Sequence, residues 1–246
     1  MIEVKGLTKH FGSVQAVNQI SFRVKGGEIF GLLGENGAGK TTTLRMLATV
    51  LKPTSGSATV NGFDLVREPD RVRTQIGVLS AEEGCYPRLT ARENIEFFAR
   101  LNNLPPDEVN RRTEEVIELL DMGEYADRRT GDFSKGMKQK VALARAIVHD
   151  PPILLMDEPT AGLDVTSTRV VRDFLVHCRQ QGRAIIFSSH IMSEVERLCD
   201  RVAIINRGRI VAEGTLQELT TQYGEKDFEE VFAQLVGGST LGGGRS

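Results

Sequence analysis

A glycine-rich segment that ends in lysine and threonine is the first part of this chain whose residue types and spacing predict chemistry. Its residues are Gly34, Glu35, Asn36, Gly37, Ala38, Gly39, Lys40, Thr41 and Thr42. They fit the phosphate-loop pattern of glycines followed by Lys and Thr. Glycines let backbone N–H groups turn toward a polyphosphate without a Cβ clash, Lys40 can neutralise phosphate oxygens, and the Thr41 hydroxyl can ligate Mg²⁺.

The elements around this segment fit the motif. The apolar run 29–33 predicts a buried strand before it, and residues 43–48 predict the first turns of a helix after it. A helix N-terminus adds partial positive charge beside a bound phosphate. The competing interpretation is a glycine-rich turn without a ligand, and the strand, Lys and Thr in register favour the nucleotide site.

A second group of polar residues follows the apolar run 153–156, where Asp157 and Glu158 are adjacent. Open α/β sheets bind their ligands at the carboxyl ends of strands. Asp157 is a candidate Mg²⁺ ligand. Because successive strand residues face opposite ways, we expect Glu158 to face a different target, the water that attacks a γ-phosphate. Taken alone, the pair is equally a polar strand end followed by a turn.

Three further segments have a functional interpretation only in combination with the glycine-rich segment and the Asp157–Glu158 pair. His190 follows the predicted strand 184–187 and is placed to contact a γ-phosphate, although a lone histidine there is more often a surface or capping residue. Ser134 and Gly136 open a predicted helix and form an anion-binding arrangement, although such a pair is most often only a cap. Residues 161–164 form a turn with an acid.

The composition narrows the classes of protein to which this chain could belong. The 246 residues are 40% hydrophobic and 26% charged, with a net charge of −2, so no global basic field attracts nucleic acid. The three cysteines have no CxxC spacing, which is typical of reduced thiols in a cytosolic protein. No apolar stretch approaches the roughly 18–20 residues of a membrane helix, and no secretory signal is visible.

The pattern of elements predicts an α/β fold. Short strand signals fill the first sixty or so residues, a mostly helical insert spans about 90–148, and strand–helix alternation returns after 150. This organisation predicts a core with a mainly parallel sheet, an N-terminal antiparallel β region and the helical insert. We expect one domain over 1–236 and a disordered glycine-rich tail over 237–246.

These pieces, in this order, resemble the ATP-binding subunit of an ABC transporter over about residues 1–220. The phosphate loop resembles Walker A of this P-loop NTPase family, 153–158 resembles Walker B, 161–164 resembles the D-loop, and 133–137 resembles the LSGGQ signature. The resemblance implies ATP and Mg²⁺ as cofactors. It also implies that Phe11 stacks on adenine, that Glu158 acts as catalytic base, and that His190 is the switch histidine.

Two departures from the family pattern matter. The signature has Phe133, Lys135 and Met137 where the family usually has Leu, Gly and Gln, but it keeps the two phosphate-contacting positions. The family usually has a glutamine soon after the strand 76–79, and this chain has Ala81 or Glu82 nearest that position. Alanine has no group that ligates metal, and a glutamate would repel phosphate. We therefore assign the role of the family's glutamine to neither residue.

The resemblance also implies partners. Two such domains pair head to tail, so that Ser134 and Gly136 of one subunit close over the ATP of the other. A separate transmembrane permease subunit would hold the chain at the cytoplasmic face of the membrane, with 84–94 resembling the surface that receives it. Taken alone, 84–94 is at least as consistent with a loop followed by an N-capped helix. The pattern is most like drug or sodium exporters, and the transported substrate binds the partner. No nucleic-acid partner is expected.

The alternatives come from other classes. A soluble ABC-type ATPase of DNA repair or translation often has a long coiled-coil insert or two tandem ATPase halves, and neither is visible here. A small-molecule kinase would need an acceptor pocket and a lid. A GTPase would usually have an Asn-Lys-x-Asp motif, which this sequence lacks. A non-catalytic regulatory module is disfavoured because Lys40, Asp157, Glu158 and His190 are all present.

Overall fold

Strands and helices alternate along the chain in a computed structural model that describes residues 1–80, 84–225 and 227–237. The strands are β1 (Ile2–Phe11), β2 (Val14–Val24), β3 (Ile29–Leu33), β4 (Ser55–Val60), β5 (Phe63–Asp64), β6 (Ile76–Leu79), β7 (Ile153–Asp157), β8 (Ala184–Ser189), β9 (Arg201–Asn206) and β10 (Arg209–Gly214). The helices are α1 (Lys40–Leu47), α2 (Pro69–Arg73), α3 (Ala91–Leu101), α4 (Pro106–Leu119), α5 (Lys135–Ile147), α6 (Val165–Gln180), α7 (Met192–Leu198), α8 (Leu216–Tyr223) and α9 (Phe228–Gly237).

The strands form two sheets. The larger has the order β10-β9-β3-β8-β7-β6, in which β9 through β6 run parallel and β10 runs antiparallel at the edge. The smaller has the order β2-β1-β4-β5 and is antiparallel throughout. The predicted α/β class, with a mainly parallel sheet and an N-terminal antiparallel region, is confirmed.

The central strand β3 is buried on both faces, which explains its unbroken apolar sequence. Ile29 and Leu33 pack into the core that contains the helical insert, α6 and α7. Phe30 and Leu32 pack into a second core against α1 and the smaller sheet. Phe22 of β2 stacks on Phe30 with ring centroids 5.2 Å apart, so the two sheets share an apolar layer.

The predicted helical insert contains α3, α4 and α5. The capping box that its sequence predicts is present: the Glu93 N–H donates to Thr90 Oγ1 (3.1 Å), and the Thr90 N–H donates to the Glu93 carboxylate (2.7 Å). Asn94 is fully buried and donates to the carbonyl oxygens of Tyr86 (3.2 Å) and Thr90 (2.8 Å). The segment before α3 is therefore fixed to that helix.

The structure contains elements that the sequence patterns do not single out. Strand β5 has two residues and α2 has five, which is too short for a periodic signal. Helix α9 packs Phe228 and Val231 into the larger core. Gly237 ends α9, and the rest of the predicted tail, 238–246, lies outside the described residues.

No helix in the described ranges has both the length and the apolar character needed to span a membrane. The three cysteines are free, as expected. Burial raises the pKa of Cys85 and Cys199, and raises the pKa of Cys178 to about 11. Their thiols are therefore poorly ionised at neutral pH and act as packing groups.

Gly77 in β6 lies where the sheet meets α5 most closely. A Cβ at this position would overlap the Ala146 carbonyl oxygen and lie 2.9 Å from Pro151 Cγ. We therefore expect Gly77→Ala to lower the free energy of unfolding by about 1–3 kcal/mol, the usual cost of overpacking, in urea titrations. Gly123→Ala is the matched control, because a Cβ there meets no atom within 4 Å. Equal stability of the two variants would show that the close contact with α5 does not require a glycine at position 77.

Candidate functional site

The glycine-rich loop connects β3 to α1, as its sequence predicts. Gly39 has φ 112° and its Cβ position lies 2.7 Å from the Ala16 carbonyl oxygen, so only glycine fits. The N-cap position of α1 makes no side-chain cap, and the first turn has no acidic residue. The Thr43 N–H is bonded to the Gly39 carbonyl oxygen (2.9 Å), so the N–H groups before it are not used by the helix and are suited to an anion.

Lys40 lies folded back over this loop. Its side chain is 5% exposed, and Nζ donates to the carbonyl oxygens of Gly34 (2.6 Å) and Glu35 (3.2 Å). Glu158 Oε1 lies 3.6 Å from the ammonium. Burial lowers the pKa of Lys40, and the nearby Glu158 carboxylate offsets part of that shift.

Asp157 ends β7 and faces the start of α1. Its side chain is 6% exposed, and Oδ1 accepts from Ser188 Oγ (2.6 Å) and Thr41 Oγ1 (3.2 Å). Asp157 and Ser188 are register partners in β7 and β8. The structure therefore brings together the two predicted metal ligands, and it adds Ser188.

Glu158 faces a different target from Asp157, but for another reason than the predicted strand alternation. Strand β7 ends at Asp157, and Glu158 has a left-handed φ of 48°. Its N–H donates to the carbonyl oxygen (3.2 Å) and Oγ (3.0 Å) of Ser188. The turn directs its carboxylate toward Lys40 and His190, whose Nδ1 lies 3.1 Å from Glu158 Oε1.

A cavity of about 120 Å³ lies over the loop. It is lined by Ala16, Glu35, Asn36, Gly37, Gly39, Lys40, Thr41, Thr42 and Glu158. Ala16 of β2 is the member that sequence reasoning missed, because only the fold places β2 beside the loop. Phe11 at the end of β1 is 47% exposed and does not line the cavity, and Lys9 Nζ lies 5.1 Å from its ring centroid.

The predicted signature residues lie outside this cavity. Ser134 caps α5 by accepting the Met137 N–H (3.2 Å), as predicted. Gly136 is packed so closely on Ser167 of α6 that a Cβ would overlap its hydroxyl oxygen. A single chain therefore does not bring Ser134 and Gly136 to the lysine of the phosphate loop.

The loop 159–163 connects the two groups of residues. Lys135 Nζ donates to the Ala161 carbonyl oxygen (2.6 Å), and Gln139 Nε2 donates to the Pro159 carbonyl oxygen (2.5 Å). Asp164 caps α6, where the Ser167 N–H bonded to its carboxylate lowers its pKa. The expected departure at Ala81 and Glu82 lies outside the described residues.

Known proteins agree with this arrangement. Residues 17–161, more than half of the chain, match the family described as "ABC transporter". The ABC transporter ATP-binding protein NatA of Bacillus subtilis is 47% identical over 92% of this chain and 92% of its own length. The Nod factor export ATP-binding protein I of Ralstonia nicotianae is 36% identical over 94% of this chain and 72% of its own length.

Solved structures also agree. The structure of an ATP binding subunit of an ABC transporter has a TM-score of 0.87 and 30% identity, over 96% of this chain and 99% of the other. A dimeric post-hydrolysis cassette, MJ0796 bound to ADP and Pi, has a TM-score of 0.79 and 25% identity, over 88% of this chain and 99% of the other. Fold, loop and relatives agree that this chain belongs to the ABC transporter family, as an ATP-binding and ATP-hydrolysing subunit.

Proposed function

We propose that this chain hydrolyses ATP with Glu158, His190 and Lys40 as its catalytic residues, at a site completed by a second subunit. The observation that carries the proposal is the contact chain from Lys40 Nζ to Glu158 Oε1 (3.6 Å) and on to His190 Nδ1 (3.1 Å), beside the phosphate loop. A buried cation beside a nucleotide loop can stabilise phosphate charge, and a carboxylate held by an imidazole can orient the attacking water.

Each group has one role. The loop N–H groups and Lys40 offset negative charge on the β- and γ-phosphates, and Lys40 exchanges its bonds to loop carbonyl oxygens for bonds to phosphate. Glu158 orients the attacking water and accepts its proton. His190 holds Glu158 Oε1 through its Nδ1. Phe11, exposed at the end of β1, supplies a ring for the adenine.

Thr41 and Asp157 fit a Mg²⁺ ion. Their oxygens Oγ1 and Oδ1 are 3.2 Å apart, both are hard ligands, and Ser188 Oγ donates to the same Asp157 oxygen. Mg²⁺ prefers few protein oxygens and completes its shell with water and substrate phosphates. When bound, the ion would neutralise charge that develops on the phosphate oxygens.

A second ATPase subunit completes the site. Ser134 and Gly136 lie outside the cavity of their own chain, at a helix start with no acidic residue in its first turn. In a head-to-tail pair, these residues would contact the γ-phosphate bound by the other subunit. The dimeric cassette bound to ADP and Pi supports this assembly.

The surface that receives a membrane partner lies on the helical insert. Tyr86, Phe97 and Leu101 are 46%, 42% and 62% exposed, and the rings of Tyr86 and Phe97 pack edge to face at 5.3 Å. Leu101 lines a groove of about 570 Å³ between the insert and β6, together with Phe98, whose ring packs against those of Tyr86 and Phe97. An exposed apolar cluster at a groove is typical of a protein-binding surface. The chain would therefore sit at the cytoplasmic face of the membrane by binding a transmembrane permease there.

Export is the favoured direction of transport. One relative is named for Nod factor export, and the motif pattern is most like drug or sodium exporters. The transported substrate contacts the permease. The residues of this chain therefore indicate the energy source, ATP, and do not indicate the substrate. The relatives give no support to a role in DNA repair or translation.

Glu158→Gln tests the catalytic assignment. The amide retains the size of the side chain but cannot accept the proton of water, so we expect hydrolysis to fall by about 100-fold or more while ATP still binds. Phosphate release and nucleotide titration measure the two effects, and light scattering should show dimers that accumulate with ATP. Glu118→Gln, at an exposed position of α4, is the control. Normal turnover by Glu158→Gln would show that another group activates the water.

Lys40→Met tests the buried charge. The pKa of Lys40 is lower in the folded protein than in the unfolded chain, so the unfolded state binds more protons as the pH rises toward the ordinary lysine pKa of 10.5. The contribution of Lys40 to the free energy of unfolding of the wild type therefore increases over this pH range. We expect the stability of nucleotide-free wild type, measured relative to Lys40→Met, to increase from pH 7 toward pH 10.5. A stability difference that does not change with pH would contradict this expectation. ATP should no longer raise the melting temperature of Lys40→Met.

Denaturant titrations between pH 7 and 10 measure this difference, with Lys25→Met, at an exposed position, as the control. A large loss of stability in Lys40→Met would mean that the bonds to the loop carbonyl oxygens outweigh the cost of burying the ammonium.

Phe97→Asp tests the membrane-facing surface. A carboxylate in the apolar cluster should lower binding to inverted membrane vesicles from cells that express the transporter by about tenfold, because apolar anchors dominate protein interfaces. Its ATPase activity in solution should stay within about twofold of wild type. Leu119→Asp is the matched control, since Leu119 is also 42% exposed but lies on α4 and not on α3 with the apolar cluster. If Phe97→Asp and Leu119→Asp sediment with the vesicles to the same extent, the membrane partner binds a different surface of the chain.

A further inference from the structure

Glu194 of α7 joins two segments of the proposed catalytic site. A single carboxylate oxygen, Oε2, accepts hydrogen bonds from Thr160 Oγ1 (2.7 Å) and Ser189 Oγ (3.1 Å). Thr160 lies two residues after Glu158, and Ser189 immediately precedes His190. The carboxylate therefore bridges the two segments that carry the interacting acid and histidine.

Both donors are buried. Thr160 is 4% exposed and Ser189 is 2% exposed, so neither hydroxyl has bulk water as an alternative partner. A buried hydroxyl without an acceptor costs free energy, and an ionised oxygen is the strongest acceptor available to it. The two bonds at Glu194 therefore fix the separation of the 159–163 loop and the end of β8.

The bridge also fixes the start of its own helix. Ser189 Oγ accepts the Ile191 N–H (2.9 Å), and the Glu194 N–H donates to the Ile191 carbonyl oxygen (3.2 Å). In the described ranges, no lysine or arginine pairs with Glu194, so its carboxylate is committed to the two hydroxyl groups.

We infer that Glu194 is a positioning residue for hydrolysis, which holds Glu158 and His190 at the separation that ATP turnover requires. This inference rests on the proposed function of that pair. Glu158 leaves β7 in a left-handed conformation and is fixed on its N-terminal side by Ser188. On its C-terminal side, the turn closes through the Ala161 N–H on the Glu158 carbonyl oxygen (3.1 Å) and through Thr160 on Glu194.

The simpler interpretation is that Glu194 only stabilises α7, as an acid in a first helical turn. The two interpretations differ in what a variant does to catalysis. A purely structural acid would change stability and leave the turnover of the folded protein unchanged. A positioning acid changes kcat through Glu158 and leaves ATP binding to Lys40 and the loop intact.

The test is steady-state hydrolysis by the full chain with Glu194→Ala. We expect kcat to fall about tenfold with KM for ATP within about twofold, since a small displacement of a catalytic group costs this much or more. Glu194→Gln should retain most of the activity, because an amide oxygen can accept both bonds. Glu196→Ala, at an exposed position of the same helix, is the matched control and should resemble wild type.

Coupling to Glu158 separates positioning from folding. Added to Glu158→Gln, the Glu194→Ala change should not lower the residual rate further, because both act on the same step. Thr160→Val and Ser189→Ala each remove one of the two bonds, so they should each lower kcat less than Glu194→Ala. These variants also serve as the test if Glu194→Ala does not fold.

Two results would overturn the inference: an unchanged kcat in Glu194→Ala, or an additional fall in the Glu158→Gln background. Failure of the proposed function is distinguishable from both. If Glu158→Gln turns over ATP normally, the catalytic pair itself is wrong. If Glu158→Gln is inactive while Glu194→Ala is normal, only the positioning role is wrong.

Discussion

The buried ammonium of Lys40 is the constraint on which the rest of the site depends. A cation that is 5% exposed must be surrounded by oxygen atoms, and here it is surrounded by two loop carbonyl groups and the Glu158 carboxylate. These oxygens come from the end of β3 and the end of β7. The parallel sheet is what brings these strand ends to one edge, so the charge is compensated only in the complete fold.

The strand between them in the sheet, β8, contributes the groups that keep the two acids apart. Ser188 donates to the Asp157 carboxylate and accepts the Glu158 N–H, so one side chain fixes both. Asp157 is held toward Thr41, and the left-handed turn directs Glu158 toward His190. Two adjacent carboxylates therefore face different groups, Asp157 toward Thr41 and Glu158 toward Lys40 and His190.

Much of this arrangement could be predicted from the sequence because local patterns encode it. The apolar run of β3, the glycine loop and the acids after β7 each carry a short-range signal, and the predicted α/β architecture follows from their order. The contributions of Ala16, Ser188 and Glu194 could not be predicted, because an alanine, a serine and a helical glutamate gain a role only when the fold brings distant segments together. The turn at Glu158 was missed for a similar reason: a left-handed φ on a glutamate depends on its tertiary contacts.

The hydrogen bonds that hold the 159–163 loop to α5 are relevant to how two ATP sites would act together in the proposed pair. Lys135 and Gln139 of α5 bond the Ala161 and Pro159 carbonyl oxygens, and Gly162 allows this approach because a Cβ there would overlap Lys135 Nζ. In the proposed pair, the start of α5 contacts the ATP of the other subunit. In the same proposal Glu158 acts on the ATP of its own subunit, and α5 is bonded to the loop that follows Glu158. Lys135, which departs from the family's signature, therefore links the proposed contact with a neighbour's ATP to the turn at Glu158.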